Sequence, residues 1–171
     1  PGTSKQPKSK DCRHKEVAPL WIHSGGFGSI QDNVITDSDW HGVAIGSQAS
    51  PTLQANKIFS NRKAGVFMQD GATPTLIEND IAKNWVGVEV IEHAAPILRG
   101  NIIHHSRVGG LWVYKEAKGL YESNEIHSCC KANVRIWELG DPTLNGNKIH
   151  SGRACGVLIY ECGKGHFVGN E

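Results

Sequence analysis

The sequence lacks the features that mark several common classes of protein. Its charges nearly cancel, with 18 Lys and Arg against 17 Asp and Glu, so the positive field typical of nucleic-acid-binding surfaces is missing. It also has no apolar run long enough for a membrane span or a signal peptide. We therefore expect neither nucleic acid nor a membrane as a partner.

A disulfide framework is missing as well. The five cysteines, an odd number at irregular spacings, are Cys12, Cys129, Cys130, Cys155 and Cys162. Small secreted disulfide proteins usually carry an even set, and the paired C-x-x-C spacing of a zinc knot is absent. The sequence therefore predicts buried, reduced thiols in an intracellular protein of the cytoplasm or nucleus.

What the sequence does have is an asparagine that returns every 22 or 23 residues. The series is Asn33, Asn56, Asn79, Asn101, Asn124, Asn147 and Asn170. A period in this range predicts a solenoid, in which each repeat packs against its neighbours and equivalent side chains form rows. Asparagine tolerates the left-handed conformation and bonds to its own turn, so we interpret this column as a structural ladder at the bend between strands.

Three further segments of each repeat are apolar at fixed distances from the asparagine. The residue two later is isoleucine in the six complete copies, and the residue three earlier is Ile, Leu, Tyr or Phe. A third segment alternates apolar residues after a glycine, as in Gly65-Val66-Phe67-Met68 and Gly110-Leu111-Trp112-Val113. This alternation is typical of strands. Leu20 to His23 fits the same frame as a partial first coil.

Proline or glycine recurs once per repeat and leaves no room for a helix. A leucine-rich repeat shares the L-x-x-N-x-L fragment, but its consensus has no equivalent of the glycine-led strand. The predicted fold is all-β, a single-stranded right-handed parallel β-helix with about 23 residues per coil and six to seven coils. We expect it to occupy residues 17–171 as one domain, after a basic polar linker or extension at 1–16. Because Gly169-Asn170-Glu171 opens another repeat, we expect further coils in the parent chain.

The outward positions of the glycine-led strand concentrate aromatic residues at one end. The residue after each apolar pair includes Tyr114, Trp137 and Tyr160 in successive copies, with Trp112 and Arg135 beside them. Aromatic residues and arginine are enriched in binding hot spots, so one interpretation is a contact surface rimmed by Lys115, Glu138 and Glu161. The alternative is a stacking ladder that stabilises the sheet.

Histidine fills another column in three successive copies, at His104, His127 and His150. Ligands in a straight row do not converge on a tetrahedral ion. We therefore predict a surface ladder, no metal site and no cofactor.

The repeats resemble a known group of proteins in several stretches. These are Ile103-His104-His105-Ser106, Gly109-Gly110-Leu111-x-Val113, Lys118-Gly119-Leu120-Tyr121-Glu122, Asn147-x-Ile149-His150 and Gly163-Lys164-Gly165. They are similar to the repeats of the β-helix F-box-only proteins, which are substrate receptors of cullin-RING ubiquitin ligases, and to carbohydrate-binding and sugar-hydrolase β-helix repeats. The resemblance implies a non-catalytic platform that binds a protein substrate or adaptor. It supplies no catalytic residue, and this chain contains no F-box helices.

An enzyme is the competing hypothesis, because β-helices often act on acidic polysaccharides. A lyase, epimerase or hydrolase would need clustered carboxylates. The candidates are Glu92 and Glu138, which with Lys115 between them also fit an alternating salt-bridge ladder.

Overall fold

The computed structural model describes residues 17–171, and the predicted linker at 1–16, with Cys12, lies outside them. The described chain forms twenty strands, numbered β1 to β20 in order, and they assemble into three parallel sheets. Sheet A contains β1 (Leu20–Ile22), β4 (Val43–Ile45), β7 (Ala64–Met68), β10 (Val86–Val90), β13 (Gly109–Val113), β16 (Val134–Ile136) and β19 (Val157–Ile159).

Sheets B and C are built from the other two strands of each coil. Sheet B contains β2 (Ser29–Gln31), β5 (Thr52–Gln54), β8 (Thr75–Ile77), β11 (Ile97–Arg99), β14 (Leu120–Glu122), β17 (Thr143–Asn145) and β20 (His166–Val168). Sheet C contains β3 (Val34–Thr36), β6 (Lys57–Phe59), β9 (Asp80–Ala82), β12 (Ile102–His104), β15 (Glu125–His127) and β18 (Lys148–His150).

Every strand pairs in parallel with the equivalent strand of the next coil. Trp112 pairs with Arg135, Tyr121 with Leu144 and Ile103 with Ile126, so the register advances by one repeat per coil. The result is a right-handed parallel β-solenoid of about six coils with about 23 residues per turn and no helix among the described residues. The fold prediction is confirmed.

The interior holds the apolar columns that the sequence predicts. The isoleucine column of sheet C and the leucine column of sheet B are fully buried in the central coils, as at Ile103 and Leu98. Alternate residues of sheet A, such as Leu111 and Val113, complete the core from the third side. Burial of each such side chain contributes roughly 1.5–3 kcal/mol, which is the main reason why the coils stack.

The three corners of each coil turn on residues in the left-handed conformation. In the central coil these are Gly100 before the asparagine, His105 after sheet C, and Lys115 with Glu116 after sheet A. The repeated asparagines themselves do not have positive φ, although asparagine tolerates this conformation. The residue before each asparagine makes the turn.

The asparagines instead form a continuous hydrogen-bonded ladder. Asn101 Oδ1 accepts the backbone N–H of Asn79 and its side-chain amide, each at 2.9 Å. Asn101 Nδ2 in turn donates to Leu76 O and to Asn124 Oδ1 at 2.9 Å. Because these groups are buried and each has a partner, the ladder stabilises the corner between sheets B and C. This agrees with the structural role predicted from the sequence.

A second and shorter asparagine ladder, which we did not predict, lies five residues after the first. It consists of Asn61 and Asn84. Asn61 N–H and its side-chain amide both donate to Asn84 Oδ1, at 3.0 and 2.9 Å. Gly42 and Gly65 make room for this ladder. A Cβ at Gly42 would lie 2.6 Å from Asn61 Nδ2, and one at Gly65 would lie 2.6 Å from Asn84 Nδ2.

Asn133, which stands where other coils have that glycine, compensates for a gap in this second ladder. Cys129 occupies the ladder position in its coil, and the following coil has Gly152 there. Asn133 Nδ2 donates to His150 O at 2.8 Å, and its Oδ1 accepts the N–H of Cys129 at 3.3 Å. A Cβ at Gly152 would lie 3.0 Å from the Asn133 amide. The side-chain amide of Asn133 thus fills the space beside Gly152 and bonds to the backbone there.

Candidate functional site

The outward surface of sheet A carries the residues that the sequence selects as a site. In each strand of sheet A, alternation turns outward the next-to-last residue and the residue that follows the strand. The row of next-to-last residues is Trp21, Ala44, Phe67, Glu89, Trp112, Arg135 and Leu158, and the following row is His23, Gly46, Gln69, Ile91, Tyr114, Trp137 and Tyr160.

Five of these residues form what we call the aromatic–arginine cluster: Trp112, Tyr114, Arg135, Trp137 and Tyr160. The rings of Tyr114 and Trp137 stack with centroids 3.9 Å apart and planes inclined by 12°. Tyr160 continues the stack at 5.9 Å and 12°, while Trp112 meets Trp137 edge-on at 5.5 Å. The structure therefore brings all five predicted residues together.

Arg135 lies at the centre of this cluster. Its guanidinium carbon is 5.5 Å from the ring centre of Trp112, 4.8 Å from that of Trp137 and 4.9 Å from that of Tyr160. One of its terminal nitrogens donates a hydrogen bond to the Tyr160 hydroxyl. Three rings within about 6 Å give a favourable cation–π environment and hold the guanidinium in place.

The members of the predicted surface differ in accessibility. Trp137 is only 8% exposed, so it supports the stack instead of offering an open face to a ligand. The rim residues Lys115, Glu138 and Glu161 are exposed and lie in the left-handed turns after sheet A. Lys115 Nζ is 3.1 Å from Glu92 Oε1. These two residues therefore form a salt bridge, as in the alternating ladder that the sequence also allows.

A carboxylate that we did not predict as a site residue lies beside the cluster. The hydroxyl of Tyr114 donates to Glu89 Oε1 at 2.7 Å. Burial raises the pKa of Glu89, and the Tyr114 hydrogen bond opposes that rise. The pKa of Tyr114 is also raised, by burial and by the charge of Glu89. The signal available in the sequence was Glu89 as the one acidic residue in a row whose other members, apart from Arg135, are apolar or aromatic.

A second aromatic group lies at the other end of the same face. Trp21, Trp40, His41 and Phe67 line a cavity of about 250 Å³. The His41 imidazole stacks on Phe67 with ring centres 4.4 Å apart. Burial, with the charge of Lys63, lowers the pKa of His41 to about 4. Sheet A therefore displays aromatic side chains near both ends of the described solenoid.

The histidine column forms the stacked ladder that its spacing predicts. The rings of His104, His127 and His150 lie 5.1 Å apart with planes inclined by 4°. Asp80 and Glu125 accept hydrogen bonds from the outer two, at 2.9 and 3.0 Å. Within residues 17–171, no group of three or more His, Cys, Asp or Glu side chains is arranged to hold a metal ion.

The cysteines differ from the expectation of buried thiols. Cys129 is buried and burial raises the pKa of its thiol, but Cys130, Cys155 and Cys162 are exposed. The four described cysteines are free.

The sheet topology and the corner ladders define the molecule as a right-handed parallel β-helix. The chain belongs to the family described as "Right handed beta helix region", whose model matches residues 20–171. The narrower resemblance to the F-box-only proteins stays a prediction.

A search of curated proteins finds no match. Among solved structures, the chain is similar to the A-module of the mannuronan C-5 epimerase AlgE6 from Azotobacter vinelandii. The TM-score is 0.62 at 16% sequence identity, and the match covers 83% of this chain and 44% of that one. The chain thus spans less than half of that module, and the likeness concerns the fold. No helix among the described residues has the length and apolarity to cross a membrane.

Proposed function

We propose that this β-helix is a non-catalytic recognition platform that binds another protein through the outward face of sheet A. The observation that carries this proposal is the aromatic–arginine cluster, in which Arg135 is held among three aromatic rings. Tryptophan, tyrosine and arginine dominate the energetics of protein interfaces, because they offer large contact areas and directed hydrogen bonds.

The rigidity of this cluster supports binding. A solenoid presents its side chains on a regular sheet, so their positions are set before a partner arrives, and less conformational entropy is lost on association. The stacked rings of Tyr114 and Trp137 pack against Tyr160 and Arg135. Leu158 on the same face is exposed. By the resemblance to F-box-only proteins, the bound protein would be a ubiquitylation substrate, and a separate subunit would provide catalysis.

The carboxylates that we considered for catalysis are poorly placed for it. Glu92 and Glu138 lie in equivalent turns two coils apart, which corresponds to about 10 Å along the axis. Pairs of carboxyl groups that cooperate in glycoside hydrolysis are roughly 5–9.5 Å apart. Glu92 is also engaged by Lys115 at 3.1 Å.

The experiment combines site-specific crosslinking with affinity measurements. A photoreactive amino acid at Leu158, on sheet A, should capture a partner that the same amino acid at Ile102, on sheet C, does not. With the partner identified and purified, calorimetry should give at least tenfold weaker binding for Arg135→Ala or Tyr160→Ala. The matched control, Arg99→Ala on sheet B, should change the affinity less than twofold. Equal losses for Arg135→Ala and Arg99→Ala would contradict the proposal.

A second candidate function is the conversion of an acidic glycan, and Glu89 favours it. This carboxyl group is half-buried on the outward face, has a raised pKa and accepts a hydrogen bond from Tyr114, as general acids and bases often do. The similar solved structure is a mannuronan C-5 epimerase module. Turnover of mannuronan, guluronan or polygalacturonate that disappears in Glu89→Gln would support this function. Absence of turnover across these polymers would exclude these three as substrates.

A further inference from the structure

A groove on sheet A lies beside the aromatic–arginine cluster and has a volume of about 440 Å³. Its walls are mostly apolar, from Val108, Ala132 and Leu158, and its charged groups are Lys131 and Arg135. No acidic residue lines it. The groove therefore combines an apolar lining with positive charge at one side.

Two hydrogen-bond donors next to this groove are buried without an acceptor. Within the described residues, the indole Nε1 of Trp112 and the guanidinium Nε of Arg135 have no hydrogen-bond partner. The two residues are paired across adjacent strands β13 and β16. Trp112 Nε1 lies over Gly109, where a Cβ atom would overlap with it, and Gly109 directly follows the groove residue Val108.

The charge of Arg135 also lacks a counterion. None of the ion pairs between residues 17 and 171 involves it, although arginine is always protonated. A partly buried cation without an anion is costly, and the three rings offset only part of that cost. Because Arg135 lines the groove, an anion bound there would supply the counterion that this cation lacks.

We infer that the groove binds a carboxylate of an acidic side chain in a bound polypeptide. A carboxylate in the groove can accept hydrogen bonds from the guanidinium group of Arg135, which lines the groove. Lys131 adds favourable charge, and the apolar walls of the groove suit the methylene stem of a glutamate. This inference rests on the proposed recognition function, since it names the chemistry that the sheet A surface selects.

The test observes the Trp112 indole proton by ¹H–¹⁵N NMR. The signal is assigned by its disappearance in Trp112→Phe, and a hexapeptide of alternating glycine and glutamate serves as the probe. We expect this peptide to shift the Trp112 signal, and the peptide with glutamine for glutamate to leave it unchanged. Arg135→Lys keeps the charge but removes the planar guanidinium group, which can bind a carboxylate with two hydrogen bonds, and it should weaken the binding at least fivefold. Arg99→Lys is the matched control and should bind normally.

Three outcomes would overturn the inference. The first is an unmoved Trp112 signal with the glutamate peptide, and the second is equal shifts with both peptides. The third is a shift with oligogalacturonate but not with the peptide, which would assign the carboxylate to a sugar. These results are separable from the proposed function: a protein partner whose affinity falls in Arg135→Ala and Tyr160→Ala, but does not change when the acidic residues of that partner are replaced by amides, would leave that function standing.

Discussion

A Cβ atom at Gly119 would lie 3.0 Å from the hydroxyl oxygen of Tyr121. One coil earlier the equivalent residues are Pro96 and Leu98. The Tyr121 ring is fully buried in the leucine column, and its hydroxyl donates to Lys118 O at 3.0 Å. Pro96 O would lie 2.7 Å from the same Cβ atom, so the larger side chain is one of two neighbours that require the residue two positions earlier to be small. The contact with Tyr121 couples the two positions and is the one that differs between this coil and the preceding one.

The coupling predicts the behaviour of a double variant. Gly119→Pro introduces atoms where the phenol lies and is incompatible with the glycine φ of 122°. Tyr121→Leu leaves a cavity. Each single variant should lower the free energy of unfolding by about 1–3 kcal/mol. The double variant recreates the Pro96–Leu98 arrangement and should recover at least ~1 kcal/mol of the summed loss, as measured by urea unfolding. Strict additivity would contradict the coupling.

A second prediction concerns the glycines of sheet A. A Cβ at Gly87 would lie 2.6 Å from Gly110 O and would overlap with the Ile103 side chain. Because the strand cannot move without breaking its pairing on both sides, Gly87→Ala should cost about 1–3 kcal/mol and lower the melting temperature.

The matched control is Gly156→Ala in the same column. A Cβ there would lie 3.6 Å from Ile149 Cγ2, which is ordinary van der Waals contact. This variant should unfold within about 0.5 kcal/mol of the natural protein. Comparable destabilisation by the two substitutions would show that crowding does not explain the glycine column.

A third prediction follows from the asparagine ladder. Asn101→Ala removes the acceptor of Asn79 and leaves Leu76 O without its side-chain donor. Because these groups are buried, we expect a loss of about 2–4 kcal/mol. Asn33→Ala in the exposed first coil should cost under ~1 kcal/mol. Chemical denaturation of both variants checks this, and equal losses would be inconsistent with a role of burial.

A fourth prediction is a pH dependence that originates at His41. Its pKa is lowered from 6.5 to about 4 in the folded protein, and its Nδ1 accepts the N–H of Ala64 at 3.2 Å, which requires an unprotonated nitrogen. The unfolded chain therefore binds a proton more readily. The stability that this group provides is complete above pH 6.5 and is lost as the pH falls towards 4, by about 2.5 kcal/mol at pH 4.5.

His41→Asn tests this dependence, because the amide oxygen can accept the same hydrogen bond and does not titrate. The difference in unfolding free energy between pH 7.5 and pH 4.5 should be about 2.5 kcal/mol smaller in His41→Asn than in the natural protein. An unchanged difference would assign the acid sensitivity to other groups.

The sequence was sufficient to predict the architecture because each coil repeats the same constraints. The column of isoleucines at Ile103 and the ladder at Asn101 are local periodicities, and a parallel solenoid places equal positions side by side. The grouping of Trp112, Arg135 and Trp137 followed from the same rule. Position in a repeat was enough to predict which residues are neighbours.

The features that the sequence did not predict depend on where each side chain points relative to the neighbouring coils. Trp137 is covered on both faces by Tyr114 and Tyr160, and a column of residue names does not distinguish a buried ring from an open one. The hydrogen bond from Tyr114 to Glu89 joins residues 25 positions apart in the sequence. It therefore connects the two outward rows of sheet A and does not run along one of them. The second ladder was missed because serine and cysteine interrupt it.

The asparagine ladder has a consequence for how the chain folds. Its hydrogen bonds between coils join residues 22 to 26 positions apart, as from Asn79 to Asn101 and from Asn56 to Ile30. Each coil therefore closes a loop of nearly the same short length, and the entropic cost of closure does not grow as the solenoid lengthens. A nascent chain can add coils one after another, each on a finished template, and no step has to wait for a distant part of the sequence.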